Sequence, residues 1–345
     1  MPILLHPLSL SRRGLLALVA GLGLLAASLP LAAQPDPLPS WNDGPTKRAI
    51  LDLVGAVTQE GGPDYVAPGD RVATFDQDGT AWVEQPLYGQ ALFALDRLAA
   101  MAPEHPDWKQ QDPFKSALSG DPKAMAAFSE KDWVEILAAT HAGMDTDAFQ
   151  ALVADWLPRS RNPVLGRGPV TDLVFQPILE AMAYLRANGF RTYIVTGGGQ
   201  DFVRVYAEQV YGIPPAQVVG SSIETRYEMR DGKPQLLREP KILFVDDGPG
   251  KARGIDLFIG QRPQIAFGNS DGDREMLEWT TAGDGKRLGL LVLHDDAARE
   301  FAYGPANGLP DSRIGTFSQA LMDEAKDRGW AVISMKDDWK TIFRP

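Results

Sequence analysis

No cysteine occurs anywhere in the 345 residues. The chain therefore forms no disulfide, carries no lipid on an N-terminal cysteine, and cannot act through a thiolate nucleophile. Histidine is nearly as scarce. His6, His105, His141 and His294 are too widely scattered to suggest a zinc site or a phosphohistidine mechanism. Positive charge is also in deficit, with 34 Lys and Arg against 45 Asp and Glu, a formal net charge of −11. Such a chain is a poor partner for nucleic acid or an anionic membrane. An anionic substrate would need local positive charge from a metal ion, a few cations and helix N-termini. No internal repeat or low-complexity tract is present.

The one long apolar run is N-terminal. Ser11, Arg12 and Arg13 precede an uncharged stretch, Gly14 to Ala33, that exits through Leu31-Ala32-Ala33-Gln34. This is the layout of a secretory signal peptide over residues 1–33, followed by a Pro-rich linker from Gln34 to Pro39. The expected location is periplasmic or secreted, with no stable membrane association after cleavage. The paired arginines are compatible with twin-arginine as well as general export. An uncleaved anchor is the alternative, since about 20 apolar residues can span a bilayer. The Gly, Ala and Pro content and the small-residue exit favour cleavage.

Beyond the linker, Thr46 can cap a helix carrying Ile50, Leu53, Val54 and Val57 at helical spacing, ended by Gly61-Gly62-Pro63. An apolar strand, Val72 to Phe75, runs straight into Asp76. Tyr88 to Leu157 reads as helical throughout, with sets such as Trp133, Ile136, Leu137 and Phe149, Leu152, Val153, Trp156. From Pro177 helices and strands alternate. A helix runs to Asn188-Gly189, and another starts at Asp201. Strands are expected at Thr192–Val195, Ile265–Phe267, Leu288–Leu293 and Ala331–Ser334, with a helix through Met276. Asp231-Gly232 marks a hairpin between Thr225–Met229 and Gln235–Leu237. This alternation predicts an α/β fold with a mainly parallel sheet, whose chemistry belongs beyond the carboxyl ends of the strands.

Three strand exits are polar in a matching way: Asp76-Gln77-Asp78-Gly79-Thr80, Thr196-Gly197-Gly198-Gly199 and Gly268-Asn269-Ser270-Asp271-Gly272-Asp273. Gly248-Pro249-Gly250-Lys251 precedes the last. Asp76 and Asp78, two residues apart on a turn opened by Gly79, can face one small volume. A calcium loop would need glycine and glutamate where Ala81 and Leu87 stand. A dinucleotide fingerprint would need glycine at Phe202. The hydroxyl and glycines at Thr196–Gly198, opening a helix, suit phosphate oxygens.

Taken in this order, the four segments resemble the motifs of haloacid dehalogenase (HAD) superfamily phosphatases, nearest the phosphoserine-phosphatase-like branch, over roughly Arg71 to Met276. The resemblance implies a Rossmann-like doubly wound, mainly parallel sheet with an inserted α-helical cap. Residues 34–83 and 169–345 would form the core and 84–168 the cap. It implies Asp76 as nucleophile, Asp78 as general acid and base, and Lys251 tying the nucleophile to the phosphoryl oxygens, with Thr196 beside them. Thr80, Gly197 and Gly198 would contact the substrate. Mg²⁺ would be held by Asp76, Asp78, Asn269 and Asp273, and the substrate would be a small phosphorylated metabolite. Asn269 stands where the commonest pattern has an aspartate, and Asp271 is a spare carboxylate, so the share of Asn269, Asp271 and Asp273 in metal binding stays open. Asp246 and Asp247 form a competing acidic pair, read as loop residues. An acid at Asp78 argues against dehalogenation, because halide departs without a proton.

Two other functions compete. Gly268-Asn269-Ser270-Asp271-Gly272 fits Gly-x-Ser-x-Gly, with Asp284 and His294 in the order of a serine hydrolase, although Ser270 and His294 are close for that fold. A periplasmic solute-binding protein would share the export signal and the α/β alternation. Trp82, Glu84, Gln85, Arg159, Arg161 and Arg167 could read a substrate. Glu84 lies approximately where phosphoserine-specific relatives hold an amino group.

Overall fold

The computed structural model describes residues 36–344, so the signal peptide expected over residues 1–33 lies outside the described residues. Seven strands form one sheet: β1 (Val72–Phe75), β2 (Arg191–Gly199), β3 (Val218–Arg230), β4 (Lys233–Phe244), β5 (Ile265–Gly268), β6 (Leu288–Leu293) and β7 (Ala331–Ser334), in the order β4-β3-β2-β1-β5-β6-β7. Every pairing is parallel except β3 with β4. The chain winds outward from β1 in both directions. The crevice beyond β1 is therefore the topological switch point, where such sheets hold ligands.

The strands read as continuous apolar runs because both faces of the sheet are covered. Successive side chains alternate between two cores. Ile265 and Phe267 enter one and Ala266 the other; Leu290 and Val292 enter the first, Leu291 and Leu293 the second. Phe75 and Phe267, paired across β1 and β5, stack with ring centroids 4.5 Å apart. Both strands are buried along their whole length, which gives the turns at their ends a rigid base.

Between β1 and β2 the described residues contain helices and no strand beyond isolated bridges. A capping box of Ser129 and Asp132 starts the helix Glu130–His141, and the Asp145 side chain caps Thr146–Trp156. Ala94, Leu98, Trp108, Phe114, Ala117 and Ile136 make a small core of their own. Phe93, Phe149, Val153 and Trp156 join the main core, and the chain from Pro37 onward is one compact unit. Among the described residues no helix is long and apolar enough to cross a membrane.

Three local expectations need correction. Thr46 lies inside the first helix, Pro45–Thr58, because Pro45 takes the opening position and Gly44 becomes the cap. The hairpin strands are far longer than the stretches flanking Asp231-Gly232, since β3 leaves β2 and continues as a ribbon with β4. The helix expected from Asp201 is two short pieces, Gln200–Val203 and Ala207–Tyr211.

Candidate active site

The β1 exit is a tight turn built around one carbonyl. Asp76 N–H still donates to Phe267 O at 2.9 Å, and Gln77 O then accepts from the N–H groups of Thr80, Ala81 and Trp82 at 3.2, 2.8 and 3.2 Å. Gly79 has φ +75°, a left-handed conformation that favours glycine. Between the two carboxylates, Gln77 points inward, its Oε1 accepting from Tyr206 Oη at 2.9 Å. Trp82 Nε1 donates to Asp78 Oδ1 at 2.7 Å.

Lys251 is buried, and its ammonium has three acceptors for three protons: Asp76 Oδ1 at 2.6 Å, Asp273 Oδ1 at 2.6 Å and Val195 O at 3.2 Å. It thus joins the exits of β1, β2 and β5. The other oxygen of Asp273 accepts from the N–H groups of Asn269 and Ser270 at 2.9 and 3.1 Å. Both its oxygens are therefore occupied inside the protein, and Asp273 serves as a bracket. Asp271 accepts from Ser318 N and Oγ at 3.1 and 2.8 Å.

Burial, and next the charge of Asp273, push the Asp76 carboxyl well up, with Lys251 opposing. Burial pushes Asp78 up to about 6 against the Trp82 hydrogen bond. For Lys251, burial works against the charge, but Asp273 and Asp76 outweigh it and hold the ammonium protonated. Asp246 is wholly buried in the loop after β4 and burial raises it to about 7; Asp247 beside it is exposed.

Thr196 is buried and its Oγ1 accepts from Gly198 N at 3.0 Å. Gly199 N donates to Gln90 Oε1 at 2.6 Å, a contact from the helical segment that no motif announced. A Cβ on Gly198 would lie 3.7 Å from Asp78 Oδ2, so Asp78 faces this irregular end of β2. Gly197 is exposed. Thr80 is fully buried, and its hydroxyl donates to Asn269 Oδ1 at 3.1 Å, linking the β1 and β5 exits.

The donor chemistry suits a hard divalent cation. The oxygens at this junction are those of Asp76, Asp78, Asn269 and Asp273, each side chain already accepting at least one hydrogen bond, and Mg²⁺ commonly takes one or two carboxylates and fills its remaining positions with water and phosphate. The described residues include no group of three or more His, Cys, Asp or Glu placed to hold a metal, so a cation here would rest on few protein ligands.

The serine-hydrolase arrangement is overturned. His294 is buried with both ring nitrogens occupied, Nδ1 by Glu300 Oε2 at 3.0 Å and Nε2 by Gly79 O at 2.7 Å. Ser270 Oγ is engaged with Gly272 N and Asp273 instead. Glu84 is also not placed to read a substrate. It is 1 % exposed and bonded to Asn269 and Tyr303. Arg159, Arg161 and Arg167 are exposed; Arg159 pairs with Asp155 and Arg167 lies over the Phe343 ring.

Among solved structures, the chain is similar to a functionally unknown protein from Anaerococcus prevotii DSM 20548, at 16% identity over 73% of this chain and 86% of that one, with a TM-score of 0.47. It is similar to a protein of unknown function from Bordetella pertussis Tohama I, at 15% identity over 76% and 98%, TM-score 0.45. A third similar structure is cytosolic 5'-nucleotidase IIIB bound to cytidine, at 15% identity over 84% of both chains, TM-score 0.42. No curated protein matches the sequence. The family model for haloacid dehalogenase-like hydrolase matches residues 73–278, more than half of the chain, from within β1 through the β5 exit, and the chain belongs to that family.

Proposed function

We propose that this hydrolase is an exported, Mg²⁺-dependent phosphomonoesterase acting through an aspartyl-phosphate at Asp76. One observation carries the proposal: the buried Lys251 ammonium lies 2.6 Å from Asp76 Oδ1, with Asp78 two residues on along the same turn. A fixed carboxylate nucleophile, a buried cation and a second carboxyl facing a Gly-rich strand end are the parts that phosphoryl transfer through a covalent intermediate needs.

Asp76 attacks phosphorus in line. The ester P–O bond breaks, and the departing oxygen takes the proton of Asp78, leaving an alcohol and the aspartyl-phosphate. Water, giving its proton to Asp78, then attacks the phosphorus. The bond to Asp76 breaks, inorganic phosphate leaves and both carboxyls are restored. Lys251 orients Asp76 throughout, and Thr196–Gly198 at the end of β2 lines the facing wall. A bound Mg²⁺ would neutralise charge on the phosphoryl oxygens; Asp76 and Asn269 are the side chains that would hold it, with Asp78 alongside.

Export is supported by Arg12, Arg13 and the apolar run that follows them. The net charge of −11 disfavours polyanionic substrates and favours a small phosphate ester. Purified protein assayed on a panel of phosphate esters should release phosphate, lose that activity in chelator and regain it with Mg²⁺. Asp76→Asn should be folded and inactive, and Ser270→Ala largely active. Tight ligand binding without turnover of any ester would instead favour a solute-binding protein, and full activity of Asp76→Asn would remove the nucleophile.

A further inference from the structure

Glu84 has no part in the chemistry above, yet it reaches the back of the site. Its Oε1 accepts two hydrogen bonds, from Asn269 Nδ2 at 2.8 Å and from Tyr303 Oη at 2.8 Å. Two glycines with left-handed backbone make room for it, Gly79 at φ +75° and Gly315 at φ +63°. A Cβ on either would overlap the Glu84 carboxyl, and on Gly79 it would also overlap the Asn269 amide.

A side-chain amide has two orientations of nearly equal shape that exchange its acceptor for its donor. An aspartate needs no such choice, because both of its ends are oxygens. Glu84 Oε1 accepts from the Tyr303 hydroxyl, and the end of Asn269 that meets it is the NH₂. The oxygen is thereby turned to the Asp76–Thr80 turn, where Thr80 Oγ1 donates to it at 3.1 Å. We propose that Glu84, braced by Tyr303, is a positioning residue that fixes the amide of Asn269, so that a neutral side chain presents its oxygen where the commonest form of this motif has a carboxylate. The use of that oxygen toward a cation rests on the phosphatase proposal. The same geometry links the two residue identities, since an aspartate at position 269 would put two buried carboxyls face to face where an amide now meets a carboxyl.

The test compares Glu84→Ala, Glu84→Gln, Asn269→Asp and the double variant Glu84→Gln/Asn269→Asp. Mn²⁺ affinity is read from the free-ion resonance signal, and thermal unfolding is followed in chelator. Glu84→Ala should weaken Mn²⁺ binding about tenfold or more, the usual effect of removing an outer-shell partner. Glu84→Gln keeps an acceptor for both donors and should bind close to wild type. In chelator, Asn269→Asp should lower the unfolding temperature, and adding Glu84→Gln should recover most of that loss. Equal weakening by Glu84→Gln and Glu84→Ala would mean that charge and not orientation matters, and would overturn the proposal. So would an Asn269→Asp loss that the second substitution leaves unchanged. Should Glu84→Ala fail to fold, Tyr303→Phe, which removes the bracing donor, should weaken Mn²⁺ binding by a smaller factor; unchanged binding would count against the proposal. Wild-type protein that hydrolyses no phosphate ester would remove the phosphatase proposal, while the cycle in chelator, which needs neither metal nor substrate, would still decide whether Glu84 fixes the amide.

Discussion

Asp76 and Asp78 lie two residues apart on one turn and have different surroundings. Burial raises both carboxyls, but Asp76 is bonded to an ammonium, whereas Asp78 takes its hydrogen bond from the neutral indole of Trp82. That difference suits a nucleophile and a proton carrier. Proton donation matters most when the leaving oxygen would depart as a basic alkoxide and little when it departs as a stable phenolate. It is worth about 10²–10⁴ in rate. Asp78→Asn should therefore slow phosphoenzyme formation from an alkyl phosphate far more than from nitrophenyl phosphate. Equal losses in that first step, measured by rapid quench, would reduce Asp78 to a shaper of the turn. Asp76, Asp78 and Lys251 were legible in the sequence because each follows a strand or a Gly-Pro-Gly turn. Glu84 stood out only as a residue that could read a substrate, and Tyr303 not at all, because Glu84 meets Asn269 across 185 positions and Tyr303 across 219, and no local spacing encodes such a contact.

Among the elements, the β3–β4 ribbon was the least legible. Only its Asp231-Gly232 turn is distinctive, since Arg226, Glu228, Lys233 and Arg238 interrupt the apolar pattern that marks the buried strands. Those polar residues have structural uses. Arg238 is 5 % exposed, pairs with Asp201, donates to His141 O at 2.8 Å and lies 4.0 Å over the Phe149 ring. It fastens the ribbon to the end of the helix Glu130–His141. His141 is enclosed there against Phe93 and Phe149. Burial, and then the charges of Arg238 and Arg97, depress it from 6.5 to about 3. The unfolded chain therefore takes up this proton first. The stability held by neutral His141 is complete above about pH 6.5 and falls as the pH drops toward 3, by about 1.4 kcal/mol per pH unit within that window. Urea midpoints at pH 7 and pH 5 should differ less in His141→Gln than in wild type. An identical difference in the two proteins would mean that folded His141 takes up its proton over the same pH range as in the unfolded chain.

In the molecule as a whole, one sheet with a core on each face carries three loops to a single point. Parallel strands buried on both faces announced themselves as apolar runs, and the reversal of strand order at β1 sets the crevice where Asp76, Thr196 and Asn269 emerge. Lys251 reaches in from the segment between β4 and β5 and ties the exits together by three bonds. A chain with no cysteine and a net charge of −11 thus concentrates a buried cation and several carboxyls at one junction, with Asp76 as the proposed nucleophile. The most direct measurement is intact-mass analysis of enzyme quenched in acid during turnover of a phosphate ester, followed by peptide mapping. The mass of one phosphoryl group should appear on the peptide that contains Asp76, and should be absent from Asp76→Asn. Label on the Ser270 peptide, or steady turnover with no labelled enzyme and an active Asp76→Asn, would contradict it.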